Sequence, residues 1–515
     1  MSKVLKYIAY SLIALGAMTL IGFVIANYSL ENKLENILKN KLPSSIKASY
    51  KELSVNSLSS SVSINNPEII IQNKEDSLMH TAIVMDKIKI SDISYWKYIF
   101  KNEIHVDRII LENPIITHYK NRKTQSQDTV NSKPKMERPI FINHLIIENT
   151  KLSVYENTQD STKFYTQGLS IKVKDIEITQ ETLNQKIPLK HTQIEAKGDS
   201  TFMKANPYEN LTMESFSINN KNATFYNLNF NTKYSKTELS KIINVERDHY
   251  SLSLKSLNIQ DLDYGYKDDS LLFVKSSRIS LNTPFLDIYR DKLVTNDTSI
   301  KPLYSKSLRE LPFQLTIDSI TIKDGALKYE ERVNKENTGG HIQFKNLNAD
   351  ISNLSNTYTT PVKTEIKLKA EFMDKSPLSV DWSFDVQDPN DHFVFKANLG
   401  SLDAKEMNQF TEPNLNVLLE GRANKTYFTI DGNNSKSKTD LKINFSNFKV
   451  TVLQKNGNKK NEFLSAIVNI FISKDSYQKK ENFQERMGEA ERNKTKSIFN
   501  FLWISVQSAL QKIML

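Results

Sequence analysis

The chain has 515 residues, enough for two or three ordinary domains, with no cysteine, 13 glycines and a net charge of +10 from 69 basic and 59 acidic residues. Without cysteine there is no thiolate nucleophile, no cysteine-ligated metal centre and no disulfide framework. Glycine stands well below the roughly 35 of an average chain this long, no GxGxxG or GxxxxGK(S/T) string occurs, and the basic residues are interleaved with acidic ones, which argues against phosphate-cradling loops and against nucleic acid as a partner.

The first element is "YIAYSLIALGAMTLIGFVIANY", residues 7–28, an uncharged run about as long as the roughly 20 helical residues that cross a bilayer core. It reads as a membrane anchor rather than a signal peptide, whose apolar stretch is shorter. Lys3 and Lys6 precede it, and Lys33, Lys39, Lys41 and Lys47 follow. Charge alone favours the opposite orientation, but the rule weakens for a long translocated domain, and the short N-terminus is expected in the cytoplasm. "SLENKLENILKNKLP" then places Leu30, Leu34, Ile37 and Leu38 at helical spacing, a stalk that Pro43 ends.

From about Tyr50 to Leu453 the pattern becomes short apolar runs alternating with polar residues, the signature of a mostly antiparallel sheet. One template recurs in it: "SSSVSINNPEIII" (59–71), "VDRIILENPIITH" (106–118), "INHLIIENTKLSV" (142–154), "MESFSINNKNATF" (213–225), "LKSLNIQDLDYGY" (254–266) and "IDSITIKDGALKY" (317–329). Positions 4 and 6 are apolar, position 8 is Asn66, Asn113, Asn149, Asn220, Asp261 or Asp324, and positions 11 and 13 are mostly apolar. Positions two apart share a face of a strand, and Asn or Asp opens turns, so each copy is expected to be a hairpin with one apolar face. The copies begin at irregular intervals, which suits hairpins added to one growing sheet better than a solenoid of fixed period. Polar loops are expected at 120–139, about 290–310 and 454–462.

The chain ends in a charged segment and "SIFNFLWISVQSALQKIML", where Ile498, Phe499, Leu502, Trp503, Val506, Ala509, Leu510, Ile513 and Met514 share one helical face. This amphipathic helix fits docking on the end of the sheet and membrane-surface contact equally well, with Phe499, Leu502, Trp503, Val506 and Leu510 as the membrane-contact candidates.

The sequence carries no recognisable motif of a catalytic or metal site. The eight histidines are dispersed, and no HExxH or GxSxG string exists. Asp261, Asp263, Asp268 and Asp269 lack the ligand spacing and turn glycine of a calcium loop. Trp96 and Trp382 are read as core or interface packing residues. No catalytic residue, metal or cofactor is expected.

The anchor, the "ENPIITHY" and "IDSITIKDGALKYEE" phrasing, "LGSLDAKEMNQF" and the terminal "KSIFNFLWISVQSALQKI" together resemble bacterial AsmA-like proteins across nearly the whole chain. The resemblance implies a single-pass inner-membrane protein with its bulk in the periplasm. It further implies a long curled β-sheet whose apolar groove shields acyl chains of phospholipid moving between inner and outer membrane, with no enzymatic activity. The expected layout is an anchor (1–29), a stalk helix and linker (30–49), a repeated-hairpin β-groove domain (50–453), and a charged linker with the amphipathic helix (454–515). Ile109, Leu111, Leu145, Ile147, Phe216, Ile218, Leu257, Ile259, Ile320 and Ile322 are the groove candidates, although each also fits a plain sheet core. Some 25 to 30 strands about 4.8 Å apart give a sheet roughly 120 to 145 Å long, short for the whole envelope, so an envelope protein partner at the C-terminal end is expected. The alternative is an anchored periplasmic scaffold or assembly factor for outer-membrane proteins, with no lipid in the sheet.

Overall fold

The computed structural model describes residues 35–36, 38, 42–56, 59–73, 76–122, 136–268, 270–453 and 483–513. The expected anchor, most of the stalk, the loop at 454–462 and most of that at 120–139 lie outside these residues. Among the described residues no helix is long and apolar enough to cross a membrane. The chain divides into two compact units, residues 1–226 and 227–515.

Unit 1 contains β1 (Ile46–Ser49), β2 (Glu52–Asn56), β3 (Ser61–Asn65), β4 (Glu68–Gln72), β5 (Met79–Val84), β6 (Lys87–Ile93), α1 (Tyr95–Lys101), β7 (Ile104–Glu112), β8 (Ile115–Tyr119), β9 (Ile140–Tyr155), β10 (Thr162–Ile178), α2 (Gln180–Leu183), β11 (Gln193–Lys204) and β12 (Glu209–Asn219). β13 (Asn222–Thr232) follows across the boundary in sequence. Unit 2 continues with α3 (Lys236–Ile242), β14 (Asp248–Gln260), β15 (Asp263–Lys267), β16 (Leu271–Asn282), β17 (Phe285–Asp291), α4 (Tyr304–Arg309), β18 (Gln314–Arg332), β19 (Gly340–Ser355), β20 (Thr364–Phe372), β21 (Ser376–Phe384), β22 (Phe393–Leu399), β23 (Leu402–Asp403), α5 (Asn408–Leu415), β24 (Val417–Gly432), β25 (Lys436–Val452), β26 (Gln484–Glu491) and α6 (Ile498–Ile513).

The sheet is mixed, not antiparallel throughout. β7 and β8 both run parallel to β9, and β16 and β17 both run parallel to β18. This arrangement corrects the hairpin reading of the repeat. "IDSITIKDGALKYEE" lies within one strand, β18, and "INHLIIENTKLSV" within β9. The same holds for three of the four copies that span two strands, β7 and β8 among them. β3 and β4 meet β6 and β5 in a register that continues through the kink as far as Ile71, and β14 and β15 both continue along β16.

At position 8 of these five copies the chain kinks but does not turn back, whereas the copy at 213–225 passes from β12 to β13 through a turn at Asn220 and Lys221. All six template residues have left-handed backbone, with φ of 47° at Asn66, 50° at Asn113, 51° at Asn149, 52° at Asn220, and 51° at Asp261 and Asp324. Asn and Asp enter that region at lower cost than other residues with a Cβ. The ladder also passes through the kinks, because Asn113 N donates to Glu148 O and Lys151 N to Pro114 O. Unit 2 repeats the device, with Thr283 N donating to Lys323 O and Ala326 N to Pro284 O, and Thr283 is left-handed as well.

The kink explains the spacing of the template. Side chains alternate with period 2, so positions 4 and 6 would face away from 11 and 13 in a plain strand. One extra residue at the kink resets the phase, as in a β-bulge. Ile109 and Leu111 before the kink, and Ile116 after it, are accordingly all buried, whereas Ile115 is exposed.

Candidate functional site

In unit 1 the apolar face builds up strand by strand. Paired residues form a continuous row through Leu53, Ile64, Ile88, Leu111, Ile147, Ile171, Ala196 and Ile218. A second row runs through Val55, Val62, Ile90, Ile109, Leu145, Val173 and Ile194. Of the groove candidates, Ile109, Leu111 and Ile147 are buried in one core cluster, and Leu145 packs against it. Leu38, Tyr95 and Tyr98 of α1, Met136, Leu183 and Leu189 help to close this face. Toward β11 and β12 the cover thins, and Phe216 and Ile218 are half-buried. Gly198 lets the Phe216 ring lie across it, since a Cβ there would meet Phe216 Cε1 at 2.6 Å.

Unit 2 carries the equivalent face in a more open form. One row joins Ile259, Ile279, Ile320, Ile351, Ile366, Trp382, Phe395 and Ile430. Its neighbour joins Leu257, Leu281, Ile322, Ala349, Leu368, Val380, Ala397, Phe428 and Leu441. The opposite face of the same strands presents Ser256, Asn258, Ser280, Asn282, Thr321, Asp350 and Lys367. The remaining groove candidates, Leu257, Ile259, Ile320 and Ile322, are half-buried and belong to no buried cluster.

Past the kinks a further row joins Leu252, Leu286, Leu327, Phe344 and Phe372, and further along β14, β17 and β18 lies a polar group. There Arg290 Nε donates to Asp248 Oδ1 at 2.6 Å and the Tyr250 hydroxyl to Asp248 Oδ2 at 3.1 Å. The neighbouring Tyr329 hydroxyl donates to Glu331 Oε2 at 2.7 Å. Burial, then the charge of Asp248, pushes the Tyr250 phenol up to about 12.

The far end of the face is closed. Trp382, Phe393 and Ile430 pack with Ile498, Phe501 and Leu502 of α6 and with Leu303, and Tyr304 of α4 lies 5.4 Å from the Trp382 ring. Gly488 on β26 allows this approach: a Cβ there would meet Ser508 Oγ at 2.3 Å and Ala509 N at 2.4 Å. Docking divides the predicted helix face. Leu502 is buried, Val506 and Leu510 are half-buried, and Phe499 and Trp503 stay 62% and 47% exposed.

Among the described residues no group of three or more His, Asp or Glu is arranged to hold a metal ion. Asp261 accepts from Ser277 Oγ at 2.5 Å beside its kink, which is turn chemistry. A depression is lined mainly by polar residues, Ser379, Asp381, Lys396, Asn398 and Thr429 among them, together with Ala397 and Phe428 of the second apolar row.

Sequence reasoning located the rows but missed two features. The Thr283-Pro284 kink lacks the Asn or Asp of the template, although the Pro after it was a usable signal. Trp96, read as a core or interface packing residue, is 66% exposed and so lies outside the core. No protein-family model matches the chain, and no curated protein matches it.

Proposed function

We propose that the chain is a lipid-handling protein of AsmA-like type, anchored in the inner membrane by residues 7–28, whose apolar sheet face in unit 2 shields phospholipid acyl chains in the periplasm. One observation carries this reading: two unbroken apolar rows cross β14, β16, β18, β19 and β20, half-buried throughout except at the buried Ala349, on strands whose other face is polar. A water-facing apolar surface of this kind calls for an apolar occupant. Each methylene moved out of water contributes roughly 0.8 kcal/mol, so ten contribute about 8 kcal/mol without any specific polar contact.

In unit 1 the matching face is largely filled by its own side chains, giving a rigid platform. The scaffold alternative would use a free strand edge. Among the described residues β26 pairs on one side only, with β25, but Glu485, Arg486, Glu489 and Glu491 line it with charge, a feature that discourages strand addition.

The test is extraction of lipid from the purified full chain. Wild-type protein is expected to release acyl lipid, and an Ile320→Asp/Ile322→Asp variant to stay folded and release far less. Equal lipid from both, or none from wild type, overturns the reading.

A further inference from the structure

α1 is apolar on both sides. Tyr95 and Tyr98 turn inward onto the unit 1 core, and Ser94 caps the helix with its side chain accepting from Lys97 N. On the outer side Trp96, Ile99 and Phe100 are 66%, 68% and 64% exposed. The Trp96 and Phe100 rings, one helical turn apart, rest against each other with centroids 4.0 Å apart. A helix on a water-facing surface ordinarily presents polar residues there, so three large apolar side chains on consecutive turns form a patch that calls for a partner.

The surroundings indicate which partner. α1 contains Lys97 and Lys101 and no acidic residue. Arg138 sits 3.8 Å over the Tyr98 ring and donates to Tyr98 O. Glu103, the nearest acidic residue along the chain, is engaged by His105 Nε2 at 2.8 Å. At the same end of the sheet, reached through the paired residues Ile104, Ile140 and Ile178, Ile187 is 39% exposed between Lys186 and Lys190. Tryptophan, isoleucine and phenylalanine with a basic rim match the chemistry of an anionic membrane interface, where rings settle at headgroup level and lysines meet phosphates.

The position of the patch agrees. Leu38 is buried in the same cluster onto which Tyr95 and Tyr98 pack. From residue 28, the end of the predicted anchor, to residue 38 is about 15 Å of helix or at most about 35 Å of extended chain.

We propose that the outer face of α1 seats unit 1 on the bilayer, placing Trp96, Ile99 and Phe100 in the interface of anionic phospholipid. The proposal rests on the membrane-anchored reading above. It assigns to α1 a role distinct from that of the apolar rows, namely fixing unit 1 against the membrane surface.

The chain has no cysteine, so Ile99→Cys, at an exposed position, takes a single environment-sensitive fluorophore, with Lys323→Cys as the control. The full chain is reconstituted in nanodiscs containing phosphatidylglycerol. Expected at position 99 are a blue-shifted emission and quenching by lipids carrying a nitroxide on the acyl chain, with neither at 323. Adding Trp96→Ser and Phe100→Ser to the labelled variant removes most of that quenching. A water-like emission at 99 overturns the proposal. So does a blue shift without nitroxide quenching, which means that protein covers the patch. Failure of the full chain to enter the discs overturns both this proposal and the anchor. Lipid bound at Ile322 is read separately, so failure of the apolar-face reading is distinguishable from failure at α1.

Discussion

The side-chain amide of Asn149 donates to Oδ1 of Asn113 at 2.9 Å, and both residues hold left-handed backbone on adjacent parallel strands. Asn113 in turn donates to Oδ2 of Asp86 at 2.6 Å. The kinks of neighbouring strands are thus tied into a row by their own side chains, and that row sets which residues face the core on either side of it.

Replacing Asn149 tests this device. Asn149→Gly keeps the left-handed backbone and loses about one hydrogen bond, a cost of about 1 kcal/mol. Asn149→Val loses the bond and forces a β-branched residue to φ near 51°, a cost of about 2 to 4 kcal/mol. Hydrogen exchange of the β7 and β9 amides measures both. Equal costs would show that the backbone conformation does not matter.

The two ends of the candidate list should respond differently. Ile147 is 7% exposed in a packed cluster, so Ile147→Ala is expected to cost about 2 to 5 kcal/mol. Half-buried Ile322 should cost about 1 kcal/mol on the same change, because less surface and no closed cavity are involved. Denaturant unfolding of the two variants decides it, and similar losses would mean that the unit 2 face is as closed as the unit 1 core.

Gly488 governs how α6 closes the far end of the face. Gly488→Ala puts a methyl where Ser508 and Ala509 stand, so the helix must shift, at a cost of about 1 to 3 kcal/mol. The variant is expected to be cut faster by protease between Asn493 and Ser497 and to expose the Trp382 cluster to a hydrophobic dye. Unchanged cleavage would show that α6 is not held there.

Acid should loosen both units through half-buried imidazoles. Burial lowers the His105 pKa, against the opposing pull of its Glu103 hydrogen bond, and burial with the Lys328 charge lowers that of His341. A depressed folded-state pKa gives stability that is present above the unfolded value of about 6.5 and lost as pH falls through the folded value. Melting temperature is therefore expected to drop below pH 6.5, and more shallowly in a His105→Gln/His341→Gln variant. Identical slopes would assign the acid sensitivity elsewhere.

Much of the fold was written in period-2 alternation. Ile109, Leu145 and Ile320 could be assigned to one face of strands because their neighbours two residues away are also apolar, and cross-strand pairing extended those faces into rows. Strand direction after position 8 was not legible, because Asn-Pro and Asp-Gly signal a reversing turn and a left-handed kink with the same residues. The difference lies in which neighbour receives the next hydrogen bond: Lys151 N reaches Pro114 O on an adjacent strand, a non-local choice. Exposure of Trp96 was equally hidden, since "YWKYIFK" carries apolar residues on every side and sequence alone cannot say which side the core takes. The division of α6 into buried Leu502 and exposed Phe499 and Trp503 depends on Gly488, ten or more residues away on another element.

The most direct test of the central claim places a photo-crosslinking residue at Ile322, on the open apolar row, and at Lys323, its outward neighbour, in the protein within its own membrane. After irradiation, mass spectrometry should find phospholipid joined at 322 and none at 323. Adducts at 322 to this chain or another protein, with no lipid, would contradict the account and make the face a packed interface.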